Sequence, residues 1–105
     1  MEIRRAAQAG TLESCDAAVT VEPLGPGAPA ALEVIVEGGD RRFEPRVRAA
    51  ALAALAELGV AAAKVTVRDR SALDCTVRAR VLAACLRAAG EEAAKPAAAP
   101  WEALR

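Results

Sequence analysis

A serine in a short acidic turn is the first candidate for chemistry in this chain. Ser14 lies within Gly10–Asp16, a polar segment between two short apolar ones, with Glu13 and Asp16 on either side of it. A hydroxyl at the tip of such a hairpin turn projects into solvent, where a modifying enzyme can reach it. Serines also occupy turns simply because the hydroxyl hydrogen-bonds the neighbouring backbone. The local pattern leaves both a modification site and an ordinary turn residue open.

The remaining nucleophiles are poor candidates for catalysis. The chain has three cysteines and no histidine, which excludes Ser-His and Cys-His pairs and imidazole metal ligands. Cys15, Cys75 and Cys85 have neither the CxxC spacing of a zinc site nor the number and spacing of a disulfide framework. Cys85 falls on an apolar helical stripe and is predicted to be core. We expect no catalytic residue and no metal site, with a small enzyme using Cys15 as a remote alternative.

Composition excludes further classes of protein. Fourteen basic and fourteen acidic residues are interspersed, and aromatic residues make up 2% of the chain, so no nucleic-acid surface is predicted. No apolar stretch reaches the roughly 18 to 20 residues that span a bilayer. Met1–Gly10 also lacks the apolar core of a secretory signal. The simplest prediction is a reduced, cytoplasmic protein without nucleic-acid or membrane partners.

Alternating apolar and polar residues predict three strands. The segments Ala17–Val21, Leu32–Val36 and Val65–Val67 alternate as strands with one buried face do. A further short strand is expected around Ala7–Glu13, returning through a tight turn at Glu13–Asp16. Alanine accounts for 29 of the hydrophobic residues, which are 54% of the chain, so the core is expected to be thin and aliphatic.

Two segments have helical spacing. Pro45 suits the first turn of one helix, and Ser71–Asp74 resembles a capping box, with aspartate in place of glutamate, before the other. The first helix has an apolar stripe at Val47, Ala51, Ala54, Leu55 and Leu58. The second has one at Leu73, Val77, Val81, Ala84, Cys85 and Ala88. Gly59 and Gly90 follow the two runs, as glycines after helix C-termini do.

The predicted order of elements is β-β-β-α-β-α. The unit Leu32–Arg68 should be a right-handed crossover that joins parallel strands. Because each strand has one wet face, both helices should cover the other face. The prediction is an α+β fold, a two-layer α/β sandwich with a mixed sheet, in one domain over residues 1–90. Residues 91–105 form an Ala/Pro-rich C-terminal arm, ending in the segment that holds the only tryptophan, Trp101.

Three motifs resemble those of a known family. Ala9–Asp16 reads A-G-T-L-E-S-C-D, Asp69–Arg80 reads D-R-S-A-L-D-C-T-V-R-A-R, and Pro100–Glu102 reads P-W-E. In residues, order and chain length they resemble the citrate lyase acyl carrier proteins, or gamma subunits, whose first motif carries an attachment serine. Two residues depart from the family pattern, since Cys15 replaces a small residue and Ser71 replaces a glycine. Cys15 would be strained if its turn needs a positive φ, whereas Ser71 is harmless if it caps the next helix.

The resemblance implies a covalent cofactor and no catalysis by the chain itself. Ser14 would bear 2′-(5″-phosphoribosyl)-3′-dephospho-CoA through a phosphodiester made by a prosthetic-group transferase. The thiol of this arm would carry acetyl as a thioester. An alpha-type acyl transferase subunit would exchange acetyl for citrate, and a beta-type lyase subunit would release oxaloacetate and regenerate acetyl.

The resemblance also suggests roles for the residues around the arm. Glu13, Cys15 and Asp16 would surround the attachment point, and we expect the two carboxylates to help the transferase recognise it and to keep the anionic arm off the carrier. The partner-contact candidates are Ile35, Arg78, Arg80 and Trp101. An equal alternative for Trp101 is packing on its own domain.

Related carriers and one other class of protein remain open. The carrier of malonate decarboxylase has the same prosthetic group with a different acyl unit, although the S-A-L-D-C and P-W-E segments favour the citrate type. Citramalate lyase carriers are too similar to be separated. A plain α/β interaction module without a prosthetic group is the alternative of a different class, and failure of Ser14 to accept any modification would favour it.

Overall fold

The computed structural model describes residues 1–90. Its strands are β1 (Ala7–Ala9), β2 (Asp16–Glu22), β3 (Leu32–Glu37) and β4 (Ala63–Arg70). Its helices are α1 (Glu44–Glu57), which a 3-10 turn at Arg41–Phe43 precedes, and α2 (Asp74–Ala89). The predicted order of elements is therefore confirmed. The expected C-terminal arm, with Trp101, lies outside the described residues.

The four strands form a mixed sheet in the order β1-β2-β4-β3. β2 pairs antiparallel with both β1 and β4, whereas β3 and β4 are parallel and are joined through α1. Val19 and Val21 of β2 stand opposite Val67 and Val65 of β4, so the valines of the two central strands share one face. The sheet is open, and the α+β class and the parallel pair are confirmed.

The core fills the space between one face of the sheet and both helices. Its fully buried side chains are mostly valine and alanine, and Leu55 of α1 is the largest of them. The sheet contributes Ala17, Val19, Val21, Ala63, Val65 and Val67, and the helices contribute Val47, Ala51, Ala54, Leu55, Val77, Val81, Ala84, Cys85 and Ala88. All these residues belong to one cluster, which confirms both the single layer of helices and the thin aliphatic core.

The first strand is shorter than predicted. β1 ends at Ala9 instead of continuing to Glu13, because Gly10 adopts a φ of +93° and turns the chain out of the sheet. Residues 10–15 then form a loop before β2 begins at Asp16. This loop holds Ser14, so the serine lies on a longer connection than the expected tight turn alone.

The start of α2 also differs from the prediction. The helix begins at Asp74 after Leu73, and no side chain caps it, so the capping box at Ser71 is wrong. Ser71 has a φ of +66°, and the carboxylate of Asp69 accepts the N–H of Ala72 at 2.9 Å to hold this turn. Leu73 is 67% exposed rather than part of the buried stripe. Neither helix of residues 1–90 is long and apolar enough to cross a membrane.

The topology brings the Ser14 loop to the end of the sheet where both helices begin. β4 ends at this end of the sheet and antiparallel β2 begins there. Since β3 is parallel to β4, it also ends there, and α1 and α2 start from the connections that follow β3 and β4. The loop that holds Ser14 therefore lies beside the first turns of α2.

Candidate functional site

Ser14 is accessible at the tip of the loop between β1 and β2. The backbone N–H of Asp16 donates to the carbonyl oxygen of Glu13 at 3.1 Å, which closes the tight turn that the sequence predicts. The serine is exposed. Within residues 1–90 its hydroxyl has no hydrogen-bond partner, so an enzyme can modify it without breaking an internal contact.

Asp16 holds the loop together through its carboxylate. Oδ2 accepts the N–H of Thr11 at 3.1 Å and the hydroxyl of Thr11 at 2.7 Å, while Oδ1 accepts the N–H of Ala17 at 2.7 Å. The Thr11 hydroxyl oxygen also accepts the N–H of Glu13 at 3.2 Å. Only 14% of the Asp16 side chain is exposed. The carboxylate therefore faces its own loop, and Glu13 is the acidic residue beside Ser14 that is left exposed.

Arg80 of α2 joins this carboxylate to the helix. Its Nε donates to Oδ1 of Asp16 at 2.9 Å and its Nη2 donates to Oδ2 at 3.1 Å, a bidentate pair. The guanidinium holds the pKa of Asp16 well below its usual range; the Thr11 and Ala17 hydrogen bonds act in the same direction, and partial burial opposes them. Asp16 is therefore ionised at neutral pH, and the loop is tied to a helix 64 positions away in sequence.

Gly10 makes room for the contact between Arg80 and Asp16. A Cβ atom on this glycine would lie 1.8 Å from the carbonyl oxygen of Ala17 and 3.1 Å from Cδ of Arg80. The φ of +93° adds a backbone conformation that side chains with a Cβ rarely adopt. Any other residue at this position would displace β2 or the arginine, so the glycine of the first motif is a structural requirement of the site.

Cys15 is strained, as the sequence predicts for the case that its turn needs a positive φ. Its φ is +66°, and its N–H donates to the carbonyl oxygen of Arg70 at 2.7 Å. Ser71, the other departure from the family pattern, has the same φ, and no other non-glycine residue of the described part has a positive φ. Each such conformation costs roughly 1–2 kcal/mol in a residue with a Cβ. The exchange of glycine for Ser71 is expected to be harmless if the serine caps α2. Since Ser71 does not cap α2, that condition is not met.

Cys85 lies where the sequence predicts it. Cys85 is fully buried in the core, and burial raises the pKa of its thiol to about 11. Cys15 and Cys75 are exposed free thiols. Among residues 1–90 there is no group of three or more cysteine, histidine or acidic side chains that could hold a metal ion.

Two further partner-contact candidates, Ile35 and Arg78, lie away from Ser14. Ile35 is half-buried on the outer strand β3, in register with Thr66, on the sheet face away from the helices. Arg78 donates from Nε to Glu57 of α1 at 3.0 Å, on the surface where the two helices meet. Trp101 lies outside the described residues. Of the three candidates in the described part, only Arg80 reaches the loop, and its side chain is 40% exposed.

Sequence reasoning missed two features of this end of the molecule. The bidentate pair of Asp16 and Arg80 joins distant residues, and nothing in the spacing of either motif indicates it. Leu12 and Leu73 are 52% and 67% exposed, although the pattern placed Leu73 in the core. Leu12 belongs to the Ser14 loop and Leu73 to the connection before α2, so apolar surface is present near the serine.

Comparison with known proteins places the whole described fold in one family. Residues 4–88 match the family model ACP, described as malonate decarboxylase delta subunit (MdcD). The citrate lyase acyl carrier protein of Streptococcus equi subsp. equi (strain 4047) is 44% identical over 93 residues, 88% of each chain. That of Lacticaseibacillus casei (strain BL23) is 42% identical over 88 residues, 84% of each chain. That of Haemophilus influenzae (strain ATCC 51907) is 39% identical over 105 residues, 99% of each chain. The chain therefore belongs to the acyl carrier protein family that includes the citrate lyase acyl carrier proteins.

Proposed function

We propose that this chain is the acyl carrier subunit of a citrate lyase and that Ser14 is the attachment point of its prosthetic arm. The relatives support the first part, since they are named citrate lyase acyl carrier proteins and match this chain over most of its length. The observation that carries the second part is the exposed Ser14 hydroxyl on a loop that Asp16 and Arg80 hold in place.

The residues around Ser14 fit a covalent arm of the phosphoribosyl-dephospho-CoA type. The hydroxyl has no internal partner among the described residues, so a phosphodiester on it displaces no contact. The exposed position leaves the arm free to reach into another subunit. When attached, the arm supplies a terminal thiol that carries acetyl and citryl groups as thioesters. This chain supplies the attachment oxygen and a rigid support for the arm. The acyl transfer and the cleavage are carried out by the alpha and beta subunits.

The fixed loop explains how a carrier without catalytic residues assists a reaction. Tethering replaces diffusion of a free thioester with a high effective concentration at each active site. The contribution of Arg80 and Asp16 is to keep the attachment oxygen in one place relative to α2. The exposed Leu12 and Leu73 lie on the connections around this oxygen, and we propose them as contacts for the transferase and the lyase subunits.

Reconstitution tests this function, because the chain has only two serines, Ser14 and Ser71. The apo chain would be loaded by the prosthetic-group transferase and mixed with the alpha and beta subunits, and oxaloacetate release from citrate would be measured. We expect the wild type and Ser71→Ala to restore cleavage and Ser14→Ala to restore none. Equal activity of the Ser14→Ala variant would contradict the proposal. Activity only with malonate decarboxylase subunits and malonate would favour the alternative carrier.

A further inference from the structure

Arg70 is the residue of β4 that lies beside the Ser14 loop. Its carbonyl oxygen accepts the N–H of Cys15 at 2.7 Å, so the residue after the serine is bonded directly to it. In the antiparallel ladder the Cα of Arg70 also stands opposite the Cα of Asp16. Opposite Cα atoms in such a ladder are about 4.5–5.5 Å apart. The long side chain of Arg70 therefore starts within reach of any group attached to Ser14.

The side chain of Arg70 projects from the sheet face away from the helices. Alternation along β4 buries Val67 and Asp69 and leaves Arg68 and Arg70 exposed. Side chains at successive strand positions point to opposite faces, so the two arginines share the open face. Arg68 is paired with Glu37 at 3.4 Å. Within residues 1–90, the Arg70 guanidinium has no ion pair and no hydrogen bond.

The carboxylate of Asp16, the residue opposite Arg70 in the ladder, already has other partners. Both oxygens of Asp16 are occupied, Oδ1 by Arg80 and the N–H of Ala17, and Oδ2 by Arg80 and Thr11. Two arginines thus flank the start of β2, and only Arg80 forms an ion pair with Asp16. An exposed cation kept free next to an attachment oxygen is suited to a negative group on that oxygen.

We infer that Arg70 pairs with the phosphate esterified to Ser14 and so directs the arm toward the open face of the sheet. The inference rests on the proposed function for its natural ligand. A guanidinium presents a planar fork that matches two phosphate oxygens, and it stays charged at every physiological pH. Glu13, the exposed acid of the loop, repels the same phosphate and offers it no partner. Arg70 is thus a positioning residue, since it acts on the linkage and not on the acyl group.

The test uses phosphoserine at position 14 as a probe for a phosphate on this oxygen. The protein would carry genetically encoded phosphoserine at Ser14, and the ³¹P chemical shift would be followed from pH 4 to pH 8. The second pKa of a phosphoserine is ordinarily about 6, and a neighbouring cation lowers it. We expect Arg70→Gln to raise this pKa by roughly 0.5 relative to the wild-type chain, because solvent screens an exposed pair. Arg70→Lys should keep part of the effect.

Lys64→Gln is the matched control. Lys64 lies on the same strand and the same face, and it is six residue steps, about 20 Å, away from Arg70. It likewise has no ion pair within residues 1–90, and its removal should leave the titration unchanged. An Arg70→Gln titration identical to that of the wild type would overturn the inference. The mass of the chain from its own host decides separately whether the natural group is the arm, so failure of the proposed function is recognisable on its own.

Discussion

At the scale of single residues, the ionised carboxylate of Asp16 decides the shape of the loop around Ser14. It accepts hydrogen bonds from Thr11, Ala17 and Arg80 with only 14% of its side chain exposed. The sequence indicated an acidic turn with an accessible serine, and both are present. Pattern reasoning assigned the carboxylate to partner recognition because a local motif does not reveal which distant cation faces it. The recognition role stays a prediction, and Glu13 is the exposed acid that fits it better.

The Asp16→Asn substitution should lower stability in a pH-dependent way. Because folding lowers the pKa of Asp16, its ionised form stabilises the fold fully above the unfolded pKa of about 3.9, and this contribution is lost as the pH falls further. We expect the variant to lose about 1–2 kcal/mol of unfolding free energy at pH 7, a value reduced because Arg80 is partly exposed. Urea unfolding at pH 7 and pH 3 should show the difference shrinking, and a difference that stays constant would contradict this account.

Replacing Cys15 with glycine should stabilise the protein. The φ of +66° strains any residue with a Cβ, although glycine loses part of the gain through its larger unfolded-state entropy. The expected net effect is an increase of about 0.5–1 kcal/mol in unfolding free energy. Cys15→Ala is the control because it retains the Cβ, and thermal or urea unfolding compares the two. An equal gain in the alanine variant would show that the thiol, and not the backbone, is responsible.

At the scale of elements, the loop between β1 and β2 depends on the position of α2. The hydrophobic pattern predicted the strands and both helices because burial of one face fixes their period. It failed where backbone conformation decides the boundary, at Gly10 and at Ser71, whose positive φ values end β1 and delay α2. It also missed the pair that crosses from the loop to α2, since Asp16 and Arg80 are 64 positions apart.

Removing the guanidinium of Arg80 should loosen the loop without unfolding the helix. In Arg80→Gln the carboxylate of Asp16 loses a bidentate partner, so the loop opens more often. We expect amide hydrogen exchange at Thr11 and Ala17, whose N–H groups donate to Asp16, to accelerate on the order of tenfold.

The matched control for this experiment is Arg78→Gln on the same helix. Arg78 forms an exposed pair with Glu57, so its loss should leave exchange in the Ser14 loop unchanged. Equal acceleration in both variants would mean that the loop responds to the general stability of α2. No acceleration in Arg80→Gln would mean that the pair does not hold the loop.

At the scale of the whole molecule, one thin core supports a site at the end of the sheet. The valine and alanine side chains between the sheet and the helices leave few large groups to fill the interior, and Leu55 is the largest that is fully buried. Composition alone predicted this thinness, and alternation predicted that one sheet face stays open. The arrangement of strands as β1-β2-β4-β3 follows from pairing partners that the predicted mixed sheet left unspecified.

Truncation of Leu55 should therefore be costly. Leu55→Ala removes a side chain with no exposed surface and leaves a cavity in a core with little capacity to refill it, so we expect a loss of about 2.5–4 kcal/mol in unfolding free energy. Leu52→Ala on the same helix is the control, since Leu52 is 39% exposed, and its loss should stay below about 1 kcal/mol. Similar losses in both variants by urea unfolding would contradict the described packing of α1.

The intact mass of the chain purified from its own host, where the partner subunits are present, tests the central claim most directly. The account predicts a mass increase equal to phosphoribosyl-dephospho-CoA, mapped by peptide sequencing to Ser14. The increase should be absent in Ser14→Ala and retained in Ser71→Ala, the variant of the only other serine. An unmodified mass for the wild-type chain, or an arm that persists in Ser14→Ala, would contradict it.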